Sequence, residues 1–285
     1  MKLEFSDILN RESGKTGFVL GLGPSLRAHL PMLKQAEKDK SKNAIISCNN
    51  IDLMTDIDFD YWMLAQPAEE SNPFCIKNGW RRYNARKNTL FMYTDCLDLT
   101  PRSTVADLLT CDYIGYDQRH YNNEPCGWGT LPGGHHTCCA AMVPGRLNIQ
   151  EEFKKYIDTH IPPLSPGENQ GAALSLPKGE AYGCGDTVGV HMVALAVMLG
   201  LNPIYITGID LDYTQGYVNN DVDIAQFRTQ LGMSNMNHVP AIIERILADY
   251  RLINDCAKRI RTKIYCLDKG LKISDIFEYG IPENY

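Results

Sequence analysis

The chain has 285 residues, a formal net charge of -6, 44% hydrophobic and 22% charged residues, a pI near 5.7 and a mean hydropathy of -0.27. That length and composition fit one large folded domain, 1–285, carrying a smaller insertion, and they argue against a disordered chain. The acidic balance supplies no basic field for a phosphate backbone, which argues against broad nucleic-acid binding.

The first sixteen residues are polar and charged, and no apolar run approaches the length of a membrane span. A cytoplasmic protein with at most peripheral membrane contact is expected. The ten cysteines are scattered along the chain, which reads as buried, reduced thiols rather than a disulfide framework.

In chain order, residues 17–20 (GFVL) form an apolar run ending in a glycine-rich turn, and 27–38 then follow a helical period. This predicts strand, turn, helix. Further buried strands are predicted at 43–48 (NAIISC), 61–64 (YWML) and 89–93 (TLFMY). From 95 to 180 periodicity weakens and Pro and Gly accumulate, so an irregular insertion is expected there.

Periodicity returns at 187–199, where Val190, Val193, Ala194, Val197 and Met198 share one helical face ahead of a helix-ending Gly200. Residues 204–209 (IYITGI) predict a strand, 240–261 a long amphipathic helix, and 263–267 (KIYCL) a last strand. Strands alternating with helices imply a Rossmann-like α/β fold: a mostly parallel sheet with helices on both faces.

Two segments carry candidate chemistry. The first is GLGPSL, 21–26, between strand and helix. Its glycines permit close backbone approach, Pro24 stiffens the turn, Ser25 is a candidate cap, and the helix start offers N–H groups to an anion. It lacks the third glycine of a dinucleotide fingerprint and the ending of a P-loop, and a turn serving packing alone has the same composition. The second is 187–210, a glycine-led helix, a Gly200 turn and a strand ending at Asp210, whose carboxylate can take ligand hydroxyls or cap the next turn.

These blocks, GLGPSL, TVGVHM with IYITGID, and KIYCL with a terminal IPENY, resemble the bacterial sialyltransferases of glycosyltransferase family 42. They are also similar to the motility accessory factor and 6-hydroxymethylpterin diphosphokinase-like family. The resemblance covers about half of the chain, in the first quarter and from Thr187 onward. It implies a variant glycosyltransferase A fold and inverting transfer of a sugar, such as sialic acid or a similar acidic sugar, from a CMP-type donor to a hydroxyl acceptor.

The matching residues are then Gly21, Leu22, Gly23, Pro24, Ser25, Asn49, Gln66, Thr187, Val188, Gly189 and Asp210 at the nucleotide. A lid at 211–240 carries Tyr213 and Tyr217 at the leaving phosphate and His238 as general base. Leu22 stands where the family has asparagine and Val188 where it has serine, so the donor sugar is left open. No metal cofactor is implied by this reading.

The second family implies a pterin diphosphokinase using Mg²⁺, for which Asp210, Asp212 and Asp221 are the oxygen ligands at hand. A catalytically silent nucleotide-binding protein is the third alternative. Cys126, His135, His136, Cys138 and Cys139 have zinc-ligand chemistry, but their spacing lacks separated pairs. His29 and His191 read as structural. A nucleotide-sugar, a glycan or small-molecule acceptor, and a second copy of the chain are the expected partners.

Overall fold

The computed structural model describes residues 1–64, 80–86, 88–93, 109–116, 149–160, 188–212, 218 and 239–283. Among them are the strands β1 (Thr16–Leu20), β2 (Asn43–Cys48), β3 (Tyr61–Leu64), β4 (Thr89–Tyr93), β5 (Tyr113–Tyr116), β6 (Ile204–Thr207), β7 (Ile264–Cys266) and β8 (Glu278–Tyr279). They form one sheet in the order β5-β4-β3-β2-β1-β6-β7-β8. Every pairing is parallel.

The apolar runs are continuous because both faces of the sheet are covered. Phe18, Leu20, Ile45, Trp62, Leu64 and Leu90 point into one core. Val19, Ile46, Cys48, Met63 and Phe91 point into the other. Across three strands Phe18, Tyr205 and Tyr265 are register partners, and their rings stack at 5.7 and 5.4 Å. Such pairs add about 0.5–1.5 kcal/mol each beyond their buried area.

Among the described residues the α-helices are α1 (Leu30–Ala36), α2 (Ile51–Met54), α3 (Trp80–Asn84), α4 (Ile149–His160), α5 (Val188–Met198) and α6 (Val239–Arg259). The helix α5 differs from its sequence reading, which assigned one apolar face. Every residue from Gly189 to Met198 is buried, because the helix lies across β1, β2, β3 and β6 with α4 and α6 against it. An all-round apolar helix suits that central place. Gly200 ends it at φ +78°, where a Cβ would lie 2.5 Å from the Ser13 hydroxyl.

Within 95–180, the described residues include two regular elements that the sequence reading did not assign. Tyr113–Tyr116 is an in-sheet strand beside β4, and the N-terminus extends that side through Leu3 N–H donating to Tyr113 O at 2.9 Å. Four residues are too short a run for alternation to stand out. In α4, Ile149, Phe153, Tyr156 and Ile157 are buried at helical spacing, a signal overshadowed by the flanking Pro and Gly. The edge strand β8 was not anticipated; it has two residues, both exposed, as suits a short protected edge.

Cys48, Cys111, Cys256 and Cys266 are free and buried, as expected of reduced core thiols. Among the described residues no helix is long and apolar enough to cross a membrane.

His191 is a core residue of α5, 2% exposed, edge-on to Tyr116 at 6.1 Å, and its Nδ1 has no hydrogen-bond partner among the described residues. Burial lowers its pKa from the ordinary 6.5 to about 4. A depressed histidine pKa stabilises the fold fully above the unfolded value, and that stability is lost as pH falls toward the folded value. Lowering the pH from 7 to 5 should therefore cost about 2 kcal/mol through this group alone. Urea unfolding of His191→Leu should show that acid sensitivity reduced by the same amount, with stability at pH 7 equal to or above that of the parent.

Candidate functional site

From β1 the chain builds outward on one side to β5, and from β6 it builds outward on the other to β8. Neighbouring strands whose connections leave in opposite directions open a crevice beyond their carboxyl ends. Here that switch point lies between β1 and β6. The loop after β1 brings Gly21, Leu22, Gly23, Pro24 and Ser25 to it, and the loop after β6 brings Gly208, Ile209 and Asp210.

The two loops are bonded to one another. Gly21 N–H donates to Thr207 O at 2.9 Å, and Gly23 N–H donates to Gly208 O at 2.8 Å. A Cβ on Gly21 would collide with the Gly208 carbonyl, and one on Gly23 would lie 2.5 Å from Asp210 Oδ2. These glycines are thus required by the approach of one strand-end loop to the other.

Asp210 holds the junction. Ser25 N–H donates to its Oδ2 at 3.0 Å, the Ser25 hydroxyl donates to its Oδ1, and Ser25 Oγ accepts from Gly208 N–H at 3.1 Å. The expectation that Ser25 caps the following helix is corrected: the first turn, Pro24–His29, is a 3₁₀ helix with Gly23 as its N-cap. The Ser25 N–H that would have faced an external anion is taken by the chain's own carboxylate, because Asp210 ends the adjacent strand. Burial pushes the Asp210 pKa above its ordinary value; the Ser25 bonds oppose this, and the charges of Asp268 and Asp212 add to it.

A second carboxylate, which the sequence reading missed, ties β7 to the same place. Asp268 Oδ2 accepts from Thr207 Oγ1 at 2.9 Å, and His29 Nε2 lies 2.8 Å from its Oδ1. Burial raises the Asp268 pKa, but the bonds from His29 and Thr207 outweigh it and leave the net shift downward. A signal existed in the sequence: the IYITGID and KIYCLD blocks both end a buried strand with an aspartate.

Beside this junction is a cleft of about 450 Å³, lined among the described residues by Pro24, Ser25, Asp210, Asp212, Gly270, Leu271 and Lys272. Its last three residues come from the segment after β7, which the sequence reading did not single out. The structure therefore brings Pro24, Ser25 and Asp210 onto one wall system, with Gly21 and Gly23 as its backing.

Other candidates stand elsewhere. Leu22 packs against both cores, and its carbonyl accepts from Val218 N–H at 2.7 Å. Arg27 Nε in turn donates to Val218 O, so the chain after β6 is fastened back onto the β1 loop. Asn49 follows β2 at φ 48°, with its carbonyl accepting from Trp62 Nε1 at 2.8 Å, away from the cleft's described lining. Val188 opens α5 and packs on the core, and Gly189 is buried.

Gln66, Thr187, Tyr213, Tyr217 and His238 lie outside the described residues, as do Asp221, Cys126, His135, His136, Cys138 and Cys139. Among the described residues no group of three or more His, Cys, Asp or Glu is placed to hold a metal ion. Asp210, one of the three aspartates considered for Mg²⁺, commits both oxygens to Ser25.

No family model and no curated protein matches the chain. Among solved structures it is similar to the sialyltransferase CstII from Campylobacter jejuni in complex with the substrate analogue CMP-3FNeuAc. That pair has 14% identity and a TM-score of 0.45, covering 94% of this chain and 86% of the other. Sialyltransferase CST-II with a trisaccharide acceptor and CMP is similar at 15% identity and a TM-score of 0.47, covering 95% and 88%. The monofunctional alpha-2,3-sialyltransferase Cst-I from Campylobacter jejuni is similar at 14% identity and a TM-score of 0.44, covering 99% and 83%.

The junction is testable through Gly21 and Ser25. Gly21→Ala must part the two loops and should cost about 1–3 kcal/mol in chemical denaturation. Ser25→Ala should cost about 1–3 kcal/mol, because it removes a partner from a half-buried carboxylate oxygen and from the Gly208 N–H. Stability equal to the parent in both variants would mean that the loops are not joined this way.

Proposed function

We propose that this chain is a nucleotide-sugar-dependent glycosyltransferase of the sialyltransferase type. It moves a sugar from a CMP-type donor to a hydroxyl acceptor on a glycan or small molecule, with inversion at the anomeric carbon. The observation that carries the reading is the cleft at the switch point. Two segments of the sequence resemblance meet there, GLGPSL through Pro24 and Ser25 and IYITGID through Asp210, with the Gly270–Lys272 segment after β7 completing the lining.

In this reading the donor nucleotide lies in the cleft against Pro24 and Ser25. Asp212 offers carboxylate oxygens to its hydroxyls beside the Ser25–Asp210 pair, and Gln66 and Thr187 are the further nucleotide-side candidates of the resemblance. His238 takes the proton of the acceptor hydroxyl as the oxygen attacks the anomeric carbon, and the bond from that carbon to the phosphate oxygen breaks in the same step. The electron pair leaves on the nucleotide phosphate, where the phenolic hydroxyls of Tyr213 and Tyr217 meet the growing charge. The engaged Ser25–Asp210 pair acts as a fixed wall that orients the donor, since its amide and hydroxyl are already bonded within the protein.

Thermal-shift and calorimetric titration with CMP, CDP, UDP, GDP and ATP, each with and without Mg²⁺, tests the donor. CMP should stabilise the protein in the absence of metal. Turnover of a CMP-sugar followed by NMR should give the inverted anomer, and His238→Ala should lower kcat by about 10²–10⁴-fold while leaving CMP affinity in place. A response to ATP with Mg²⁺ and none to CMP would overturn this function.

A further inference from the structure

The segment after β7 contributes a cation to the cleft that nothing in the mechanism above uses. Lys272 is exposed and lines the cleft together with Asp210 and Asp212. It forms no ion pair among the described residues, whereas Lys15, Lys34, Lys40, Lys42 and Lys155 each do. Its neighbour Lys269 is occupied over the ring of Tyr279 at 4.2 Å. With no ion pair among the described residues, a lysine in a lining that also holds two carboxylates is placed to meet an anionic ligand.

The backbone carrying Lys272 is well anchored. Asp268, four residues earlier, is tied to Thr207 and His29. Ile273, the next residue, is fully buried, and its carbonyl accepts from Phe277 N–H at 3.0 Å. Asn254 Nδ2 holds Ile276 O at 2.6 Å. The root of the side chain is thereby fixed, which lowers the ordering cost of a contact made there.

Charge arithmetic then selects the ligand. The chain carries a net charge of -6, and two carboxylates belong to the cleft lining, so a cation in that lining favours an anionic nucleotide there. The loop amides do not provide it, because Ser25 N–H and Gly23 N–H are bonded within the protein. Lysine is a compact point charge suited to phosphate oxygens.

Resting on the donor reading above, we propose that Lys272 binds the phosphate of the nucleotide and makes the cleft select phosphorylated nucleosides over nucleosides. Its ammonium donates to non-bridging phosphate oxygens, and the carboxylate of Asp212 faces the hydroxyl-bearing part of the donor. The contact is present in the bound ground state, so Lys272 is a specificity residue.

Calorimetric titration of the full chain, Lys272→Gln and Lys272→Arg with CMP, UMP and cytidine, at low and high salt, tests this. Lys272→Gln should weaken CMP about tenfold or more, leave cytidine unchanged and flatten the salt dependence, and Lys272→Arg should recover most of the affinity. Because the side chain is exposed, all three proteins should melt at the same temperature without ligand. CMP bound equally by the parent and Lys272→Gln overturns the phosphate contact and leaves the donor reading standing. Equal loss of CMP and cytidine overturns it too. UMP bound in place of CMP, with the same dependence on Lys272, overturns the CMP donor and supports the contact. No binding of any nucleotide by the parent overturns both.

Discussion

The bond set between the Asp210 carboxylate and Ser25 organises this end of the molecule. The strands β1 and β6 are adjacent and parallel, but their chains depart to opposite sides, so no continuing element covers the gap between them. A half-buried carboxylate from β6 closes it by accepting both the amide and the hydroxyl of Ser25. Hydrogen bonds to a charged group are worth about 1.5–3 kcal/mol each, and leaving such a group unsatisfied costs more. The glycines, the short 3₁₀ turn and the cleft wall all follow from keeping that contact close.

Asp268 extends the same principle to β7. The two carboxylates are neighbours with opposite proton affinities: Asp210 is held above its usual range and Asp268 below it. The difference comes from their partners. Asp268 has bonds from His29 and Thr207 that outweigh its burial, whereas at Asp210 burial, reinforced by the charges of Asp268 and Asp212, outweighs the bonds from Ser25. Together they tie the ends of β1, β6 and β7 to one another and concentrate carboxylates there.

The glycine-rich loop has two physical meanings that its sequence cannot separate. Glycines allow a backbone to approach a phosphate, and they equally allow it to approach another backbone. Here the neighbouring loop occupies the space at Gly21 and Gly23. The space beside the loop is therefore lined by side chains and by segments on either side of it, and the loop itself acts as a wall.

The amino-acid sequence by itself determined the α/β class, the run of strands through β4, the α5–Gly200–β6 unit, and Ser25 and Asp210 as residues of interest. These rest on apolar periodicity and on strand-end punctuation, which are local and can be read within a dozen residues. Tertiary structure alone decided the strand order, the insertion of β5, the burial of α5 on every side and the use of Asp210 as the partner of Ser25. Ser25 and Asp210 are 185 positions apart, and His29 and Asp268 are 239 apart. Which of the many possible polar pairs forms across such distances depends on which strand ends become neighbours, and that is set by packing of the whole sheet rather than by any short stretch of chain.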